Sequence, residues 1–243
     1  MRLISLNVWQ GKLKDSLLEF IRREAGKTDI FCFQEMTSTF RNTSNEDLFS
    51  TVTKSLSGFN GFFEATQAKG EEVEIGLATF VKRAEKIDKE GDFFIYRTRN
   101  SMVGDNWQTM GRNVQFIEFG EFGKEYAVVN VHGLWSGKER LDSDDRINQS
   151  KKLKEFLNRL GVTKIVCGDF NLTRDTQSLA IIDSGMRNLI KESGVTSTRP
   201  ERYFPWEDKF CDYILVDNDV VVTDFKVLPD EISDHFPLLL DFK

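Results

Sequence analysis

Short strand-like apolar runs recur along the whole chain and outnumber its helical stretches, which restricts the fold more than any other feature. Arg2 to Val8 reads as a strand, and Leu13, Leu17, Leu18, Phe20 and Ile21 then recur at helical spacing until Gly26 closes the helix. Asp29 to Phe33 reads as a buried strand ending in Gln34-Glu35, and Glu46 to Leu56 as a second helix. Phe62 to Glu64, Ile75 to Val81 and Phe93 to Tyr96 read as strands joined by polar turns, and the mixed-sign run Lys82 to Glu90 as solvated surface. Val114 to Phe119 and Tyr126 to Val131 form a hairpin around Gly120 and Gly123. Ile147, Leu153, Phe156, Leu157 and Leu160 mark a long helix ended by Gly161. A buried strand, Lys164 to Cys167, and a helix, Ser178 to Asp183, follow. Tyr213 to Val216, Val220 to Leu228 and Leu238 to Phe242 finish the chain as strands. Hairpins mixed with helical crossovers predict an α/β domain with antiparallel pairing in mixed sheets. With no long linker, repeat or biased segment, residues 1–243 read as a single domain.

Composition removes several alternatives. No apolar run approaches the roughly 18 residues of a membrane helix. The 21 Phe argue against disorder, which lacks the aromatics that offset chain entropy. A formal net charge of −6 speaks against a binder that relies on bulk positive charge, but leaves room for a nucleic-acid enzyme with a local basic rim or a bound metal. Cys32, Cys167 and Cys211 have no C-x-x-C spacing and lie in apolar runs, so they read as small core residues. No basic segment followed by a long apolar one is present, so the expected location is cytoplasmic.

The polar residues that break the strand pattern are unusual in kind. Asn7 ends the first strand, Glu35 the strand after the first helix, and His132 the strand beginning at Ala127. Asp169 and Asn171 follow the strand ending in Cys167, Asp212 precedes Tyr213-Ile214-Leu215, and Asp234-His235 precedes the final strand. Singly each has a bland reading: a cap, an exposed strand end, or a Gly-Asp-Asn turn. Together they supply hard carboxylate and amide oxygens, which suit Mg²⁺. They also contain both histidines of the chain, His132 and His235. Oxygen ligands with imidazole acid–base groups are what metal-assisted phosphate hydrolysis requires.

Leu6-Asn7-Val8-Trp9, Gln34-Glu35, Val131-His132, Gly168-Asp169-Phe170-Asn171, Asp212-Tyr213-Ile214 and Ser233-Asp234-His235 stand in one order. In that order and over almost the whole chain, the sequence resembles the endonuclease/exonuclease/phosphatase superfamily. That superfamily includes deoxyribonuclease I, exonuclease III-like repair enzymes, tyrosyl-DNA phosphodiesterase, deadenylases, inositol-phosphate phosphatases and neutral sphingomyelinases. The resemblance implies a four-layer sandwich of two packed mixed β-sheets flanked by helices, with the motifs converging on loops at one end. It implies Glu35 as the main Mg²⁺ carboxylate, assisted by Asn7 and Asp234, with Mn²⁺ as a substitute ion. It implies that Asp169 orients or deprotonates the attacking water and that Asn171 holds a non-bridging phosphate oxygen. Asp212 would fix the tautomer of His235, His235 would serve as acid–base or stabilise the charged phosphorane, and His132 would contact the phosphate from the other side.

Three loops neighbour these motifs: Arg97 to Arg112 with Trp107, Gly133 to Arg146 with Trp135, Lys138 and Arg140, and Arg199 to Lys209 with Arg202, Tyr203, Phe204 and Trp206. Trp9, Trp135 and Trp206 are candidate stacking surfaces for bases, and Arg112 a candidate phosphate contact. The alternatives are aromatics that pin loops onto the core and a strand-end salt bridge. Arg146 and Gln149 are expected to anchor the loop after His132. The stretch Gly168 to Asp175 is loosely similar to the tyrosyl-DNA phosphodiesterase pattern, from which Phe170 departs.

The leading expectation is a Mg²⁺-dependent phosphodiesterase or nuclease whose partner is nucleic acid. Two alternatives stand beside it: a phosphomonoesterase or phospholipid-type hydrolase using the same site, and a non-catalytic binding module on the same scaffold. The acidic charge balance favours a small soluble phosphate. The sequence does not fix the oligomeric state.

Overall fold

The computed structural model describes residues 1–39, 47–83, 85–137, 140–203 and 209–243. The chain runs β1 (Arg2–Asn7), α1 (Lys14–Ala25), β2 (Ile30–Thr39), α2 (Leu48–Ser55), β3 (Phe59–Lys69), β4 (Val73–Lys82), β5 (Ile87–Tyr96), β6 (Arg112–Glu121) and β7 (Lys124–His132). It continues through α3 (Asp144–Arg159), β8 (Thr163–Asp169), α4 (Gln177–Asp183), β9 (Arg187–Asn188), α5 (Leu189–Glu192), β10 (Asp212–Val216), β11 (Val222–Val227) and β12 (Leu238–Phe242). The strands form two six-stranded sheets, ordered β11-β12-β1-β2-β4-β3 and β5-β6-β7-β8-β10-β9. The β1–β2 and β7–β8 pairs are parallel and the other pairs antiparallel, so both sheets are mixed.

Alternation along the strands builds the layers. In β1 and β2, Ile4, Leu6, Phe31 and Phe33 pack with Leu17, Phe20 and Ile21 of α1 and Val52 of α2. Their neighbours Leu3, Ile30 and Cys32 face the other way, against Val129, Val131 and Ile214 of the second sheet. On the second sheet, Leu153 and Leu157 of α3 and Leu179 and Ile182 of α4 join the same apolar cluster. The result is the expected sandwich of two mixed sheets flanked by helices.

Between the sheets, toward one end, the core turns polar. Gln34 Nε2 donates to Asn130 Oδ1 at 2.7 Å, and Asn130 Nδ2 donates to the Phe33 carbonyl at 3.1 Å. Thr79 donates to Gln115 at 2.7 Å and Thr66 to Asn113 at 2.6 Å. Each bond crosses from one sheet to the other. Buried polar groups need partners, so these pairs fix how the two sheets sit beside the site.

Some boundaries differ from the sequence reading. β2 does not end at Gln34-Glu35 but runs on to Thr39. The ladder to β4 shifts register between Phe33 and Met36, and this bulge hides the alternation. β5 begins at Ile87, inside the run read as surface. It is an edge strand, so its Asp88, Lys89 and Glu90 stay exposed. β9 and α5 are too short to leave a periodic signal. Glu46, the expected start of the second helix, lies outside the described residues. Among the described residues no helix is long and apolar enough to cross a membrane.

Candidate active site

Two parallel strand pairs deliver the motif residues to one end of the sandwich. In the second sheet, His132 of β7 and Asp169 of β8 are register partners, and Asp169 in turn pairs with Asp212 of β10. These three residues therefore form one row across the sheet. In the first sheet Asn7 pairs with Gln34, next to Glu35. The Asn7 amide joins the two rows: its Nδ2 donates to Glu35 Oε1 at 3.2 Å and to Asp169 Oδ2 at 3.1 Å. Its Oδ1 accepts the Trp9 N–H at 3.0 Å, and its carbonyl accepts Ser233 Oγ–H at 2.6 Å.

Local backbone strain gathers at the same place. Seven non-glycine residues have positive φ among the described residues, and four of them, Trp9, Gln10, Glu35 and Asn171, belong to this site. Left-handed conformations of such residues cost free energy and persist where the surroundings hold them. Glu35 sits at the β2 bulge with φ 56°, and Gln10 Nε2 reaches its Oε2 at 3.2 Å. The Asn171 N–H donates to Asp169 Oδ1 at 2.9 Å, and Asn171 Nδ2 to the Gly133 carbonyl at 3.2 Å. Gly168 is required beside Asp169: at φ 137°, a Cβ there would stand 2.0 Å from the Val131 carbonyl oxygen.

The histidines are buried and held in opposite senses. Arg199 Nη1 lies 2.7 Å from His235 Nε2, and Asp212 Oδ1 lies 2.9 Å from His235 Nδ1. A guanidinium only donates, so Nε2 accepts and the proton sits on Nδ1, facing Asp212. Arg112 Nη1 lies 3.4 Å from His132 Nδ1, which places the His132 proton on Nε2. That nitrogen looks toward Asp169 Oδ2 at 3.8 Å and Glu35 Oε1 at 3.9 Å. Burial, then Arg199, pushes His235 down to about 4. Burial, then Arg112 and His235, holds His132 well below the ordinary imidazole value.

The acids and arginines show the same tension. Burial raises Glu35, and Asp234 and Asp169 raise it further, against hydrogen bonds from Asn7 and Gln10. Burial raises Asp212 to about 6, although Cys211, Arg199 and Thr198 favour its charge. Burial lowers Arg112 to about 10 despite Glu35 and Asp169, and among the described residues no carboxylate lies within salt-bridge reach of it.

The row opens into a cleft of about 480 Å³, lined by Trp9, Trp107, Trp135, Glu35, His132, Asp169, Asn171, Asp234, His235 and three arginines, Arg112, Arg140 and Arg199. Three tryptophans thus reach the cleft, while Trp206, with Lys138 and Phe204, lies outside the described residues. Trp9 is packed as well as placed: Tyr203 meets its edge and Lys12 lies 4.0 Å over its ring. Arg146 and Gln149 do anchor the loop after His132, through the Leu134 carbonyl and N–H respectively. The sequence reading missed Gln10, Arg199, Thr198 and Cys211. Gln10 and Cys211 adjoin the motif residues Trp9 and Asp212, and Arg199 opens a loop read only as a rim, but their contacts with the site are made through space and carry no sequence signal of their own.

A divalent cation fits this donor set. Glu35, Asp169 and Asp234 bring hard carboxylate oxygens to one cleft, and the burial that raises Glu35, with the smaller repulsion from Asp234 and Asp169, is what a cation offsets. A second group, Asp169, Cys211, Asp212 and His235, also offers ligand atoms within 4.8 Å of one another. Its inner atoms are spent on each other: Cys211 Sγ donates to Asp212 Oδ2 at 3.0 Å, and Asp212 holds His235 Nδ1. The oxygen set at Glu35 is the harder of the two donor sets and the one less committed to internal hydrogen bonds.

A model of the Endonuclease/Exonuclease/phosphatase family matches residues 4–235. No curated protein matches the chain by sequence. Among solved structures, an endonuclease/exonuclease/phosphatase family protein from Leptotrichia buccalis C-1013-b superposes with a TM-score of 0.78 at 19% identity, covering 100% of this chain and 99% of the other. A mannosyl-6-phosphatase of Bacteroides thetaiotaomicron VPI-5482 superposes at 0.74 with 18% identity, covering 100% and 99%. Humanized D. rerio TDP2 superposes at 0.74 with 15% identity, covering 100% and 98%. At these identities the likeness is one of fold.

Proposed function

The chain belongs to the Endonuclease/Exonuclease/phosphatase family and is a hydrolase of phosphate esters; we propose that its substrate is a phosphodiester of nucleic acid, cleaved with Mg²⁺, or Mn²⁺ in its place, by one catalytic domain spanning residues 1–243. The observation that carries this reading is the row His132, Asp169 and Asp212 facing Asn7 and Glu35 under a cleft walled by Trp9, Trp107 and Trp135. Aromatic walls with cations suit bases and phosphates together.

In this reading Glu35 and Asp234 hold the ion, with Asn7 bracing Glu35 through its amide. The bound ion supplies Lewis-acid withdrawal of charge from the phosphate. Asp169, held by the Asn7 amide and the Asn171 N–H, orients the attacking water and takes its proton. His132 offers its Nε2–H to one face of the phosphate, and Asn171 steadies a non-bridging oxygen. His235, steered by Asp212, meets the other face. Arg112, buried without a carboxylate partner among the described residues, supplies positive charge to the anion. Trp135, 39% exposed, is the wall residue most available for stacking.

A second reading, a phosphomonoesterase, is favoured by the cleft's volume of about 480 Å³ and its three buried arginines, which suit a small molecule. The fold also serves a protein named a mannosyl-6-phosphatase. Hydrolysis of a single-stranded oligonucleotide, an abasic duplex, a 5′-tyrosyl oligonucleotide and an inositol phosphate separates the two. Oligonucleotide cleavage lost in EDTA and in His235→Ala supports the phosphodiesterase. Release of phosphate from the inositol compound alone establishes the monoesterase instead, and no turnover of any ester leaves only a binding module.

A further inference from the structure

Arg199 enters the cleft from the segment before β10, at the start of a loop that the sequence marked only as a neighbour of the motifs. It is buried, 8% exposed, and its fork reaches Asp234, His235 and, at 3.8 Å from Nη1, the Cys211 sulfur. Nη2 donates to Asp234 Oδ2 at 2.7 Å, and Nη1 donates to His235 Nε2 at 2.7 Å. The first bond is an ion pair. The second spends a charged donor on a neutral imidazole nitrogen, a weaker acceptor than an anionic oxygen.

That second bond also blocks the site. His235 Nδ1 faces Asp212, so Nε2 is the nitrogen left to meet a substrate. A phosphate oxygen that reaches it must take the place Nη1 now holds. The backbone of this segment is tied down by hydrogen bonds. Thr198 N–H donates to the Lys209 carbonyl at 2.9 Å, Phe236 N–H to the Thr198 carbonyl at 2.9 Å, and Thr198 Oγ1–H to Asp212 Oδ2 at 2.8 Å. Arg199 N–H donates to Ser197 Oγ at 3.0 Å. Rearrangement therefore falls to the side chain. A guanidinium turned from Nε2 toward an incoming phosphate remains within the cleft it already lines.

We propose that Arg199 is a substrate-phosphate contact, held between Asp234 and His235 in the free protein, and that its transfer from His235 Nε2 to a phosphate oxygen opens His235 to the substrate. The inference rests on the hydrolase reading of this cleft. It adds a residue to that reading and says why the free arrangement differs from the working one. The exchange is one of hydrogen-bond partners: Nε2 loses a donor, the guanidinium gains an anionic acceptor, and no covalent bond changes.

Inorganic phosphate is the probe, added to the full chain without added metal so that binding is read apart from turnover. Nitrogen-15 NMR of the wild-type protein follows the Arg199 guanidinium and the His235 ring, assigned by through-bond experiments. Phosphate is expected to shift both signals together. Arg199→Lys keeps the charge but loses the fork, and is expected to weaken phosphate binding about tenfold, with an unchanged melting temperature before phosphate is added. An Arg199 signal that stays still at saturating phosphate, no binding of phosphate by the wild type, or Arg199→Lys binding within about twofold of wild type, each overturns the proposal. Hydrolysis of the ester panel is measured separately. Activity with a motionless Arg199 overturns only this inference, whereas absence of all activity overturns the hydrolase reading itself.

Discussion

His235 Nδ1 lies 2.9 Å from Asp212 Oδ1 while its Nε2 lies 2.7 Å from Arg199 Nη1, so one imidazole is read by an anion on one side and a cation on the other. Only the neutral Nδ1–H form satisfies both. NMR of the ring nitrogens is expected to show that form at pH 7, with titration near the value of about 4 to which burial and Arg199 push it. Asp212→Asn removes the anion that selects the tautomer, and kcat is expected to fall about 10²- to 10⁴-fold with KM little changed. A loss confined to KM would show that Asp212 serves binding rather than the orientation of His235.

Glu35 gives the test of the cation. Burial, then Asp234 and Asp169, raises it above the ordinary carboxylate value, so a bound divalent ion is expected to stabilise the fold. At 100 times its Kd the ion adds about 2.7 kcal/mol, read as a rise in melting temperature that EDTA reverses. Glu35→Gln is expected to abolish that rise and to lower kcat/KM by about 10²-fold or more. A Glu35→Gln protein that still gains stability from Mg²⁺ places the ion elsewhere, with the Asp169, Cys211, Asp212 and His235 group the next position to test.

The two tests differ in how far the sequence could have prompted them. Asp169 and His235 were legible because Gly168-Asp169-Phe170-Asn171 and Ser233-Asp234-His235 are contiguous and each follows or precedes an apolar strand. The layers were implied by the resemblance and not by periodicity, because strands buried on both faces, such as Leu3-Ile4 and Phe31-Cys32, are apolar at every position and show no alternation. Arg199 and Gln10 were not legible, because their meaning lies in what they touch: Arg199 stands well before Asp212 with no repeat between them. The continuation of β2 past Glu35 was hidden by the bulge that aims Glu35 into the cleft. The feature that obscured the strand is the one that positions the carboxylate.

Trp135 separates stacking from packing. It is 39% exposed on the cleft wall, so truncation should leave the core intact. Trp135→Ala is expected to raise KM for an oligonucleotide about fivefold or more, the equivalent of about 1 kcal/mol of stacking, with kcat and melting temperature unchanged. For a small phosphate ester without a ring to stack, KM should not move. Equal KM increases for both substrates would argue that Trp135 shapes the loop instead.

Asp241 carries a pH-dependent part of the stability, remote from the cleft. Arg2 Nε and Nη2 donate to its two oxygens at 2.8 and 2.7 Å, joining β1 to β12 at paired positions. The hydrogen bond from Arg2 holds its pKa below the ordinary value, so the folded state favours the ionised form. The contribution is therefore present above the unfolded value, about 3.9, and lost as pH falls through the lower folded value. Asp241→Asn is expected to cost about 1 kcal/mol in urea unfolding at pH 7, with the difference closing below about pH 4. A cost that persists unchanged in acid would assign the effect to geometry rather than charge.

Gly168 links the fold to the chemistry, because the β8 backbone that carries Asp169 passes closest to β7 there. A Cβ on residue 168 would stand 2.0 Å from the Val131 carbonyl oxygen and 2.9 Å from its carbon, and φ is 137°, a value that L side chains rarely adopt. The clash is with backbone, so no rotamer change relieves it. The strands must part or the peptide must turn, and either moves Asp169 relative to its register partners His132 and Asp212. Gly168→Ala is expected to lower stability by about 3 kcal/mol or more and to reduce kcat beyond what the unfolded fraction explains. Gly161, where a Cβ meets nothing within 4 Å, is the matched control, and Gly161→Ala should leave kcat as it was. If Gly168→Ala melts like wild type, the close β7–β8 approach is not what fixes Asp169. Its position would then depend on the amide of Asn7 and the N–H of Asn171 alone.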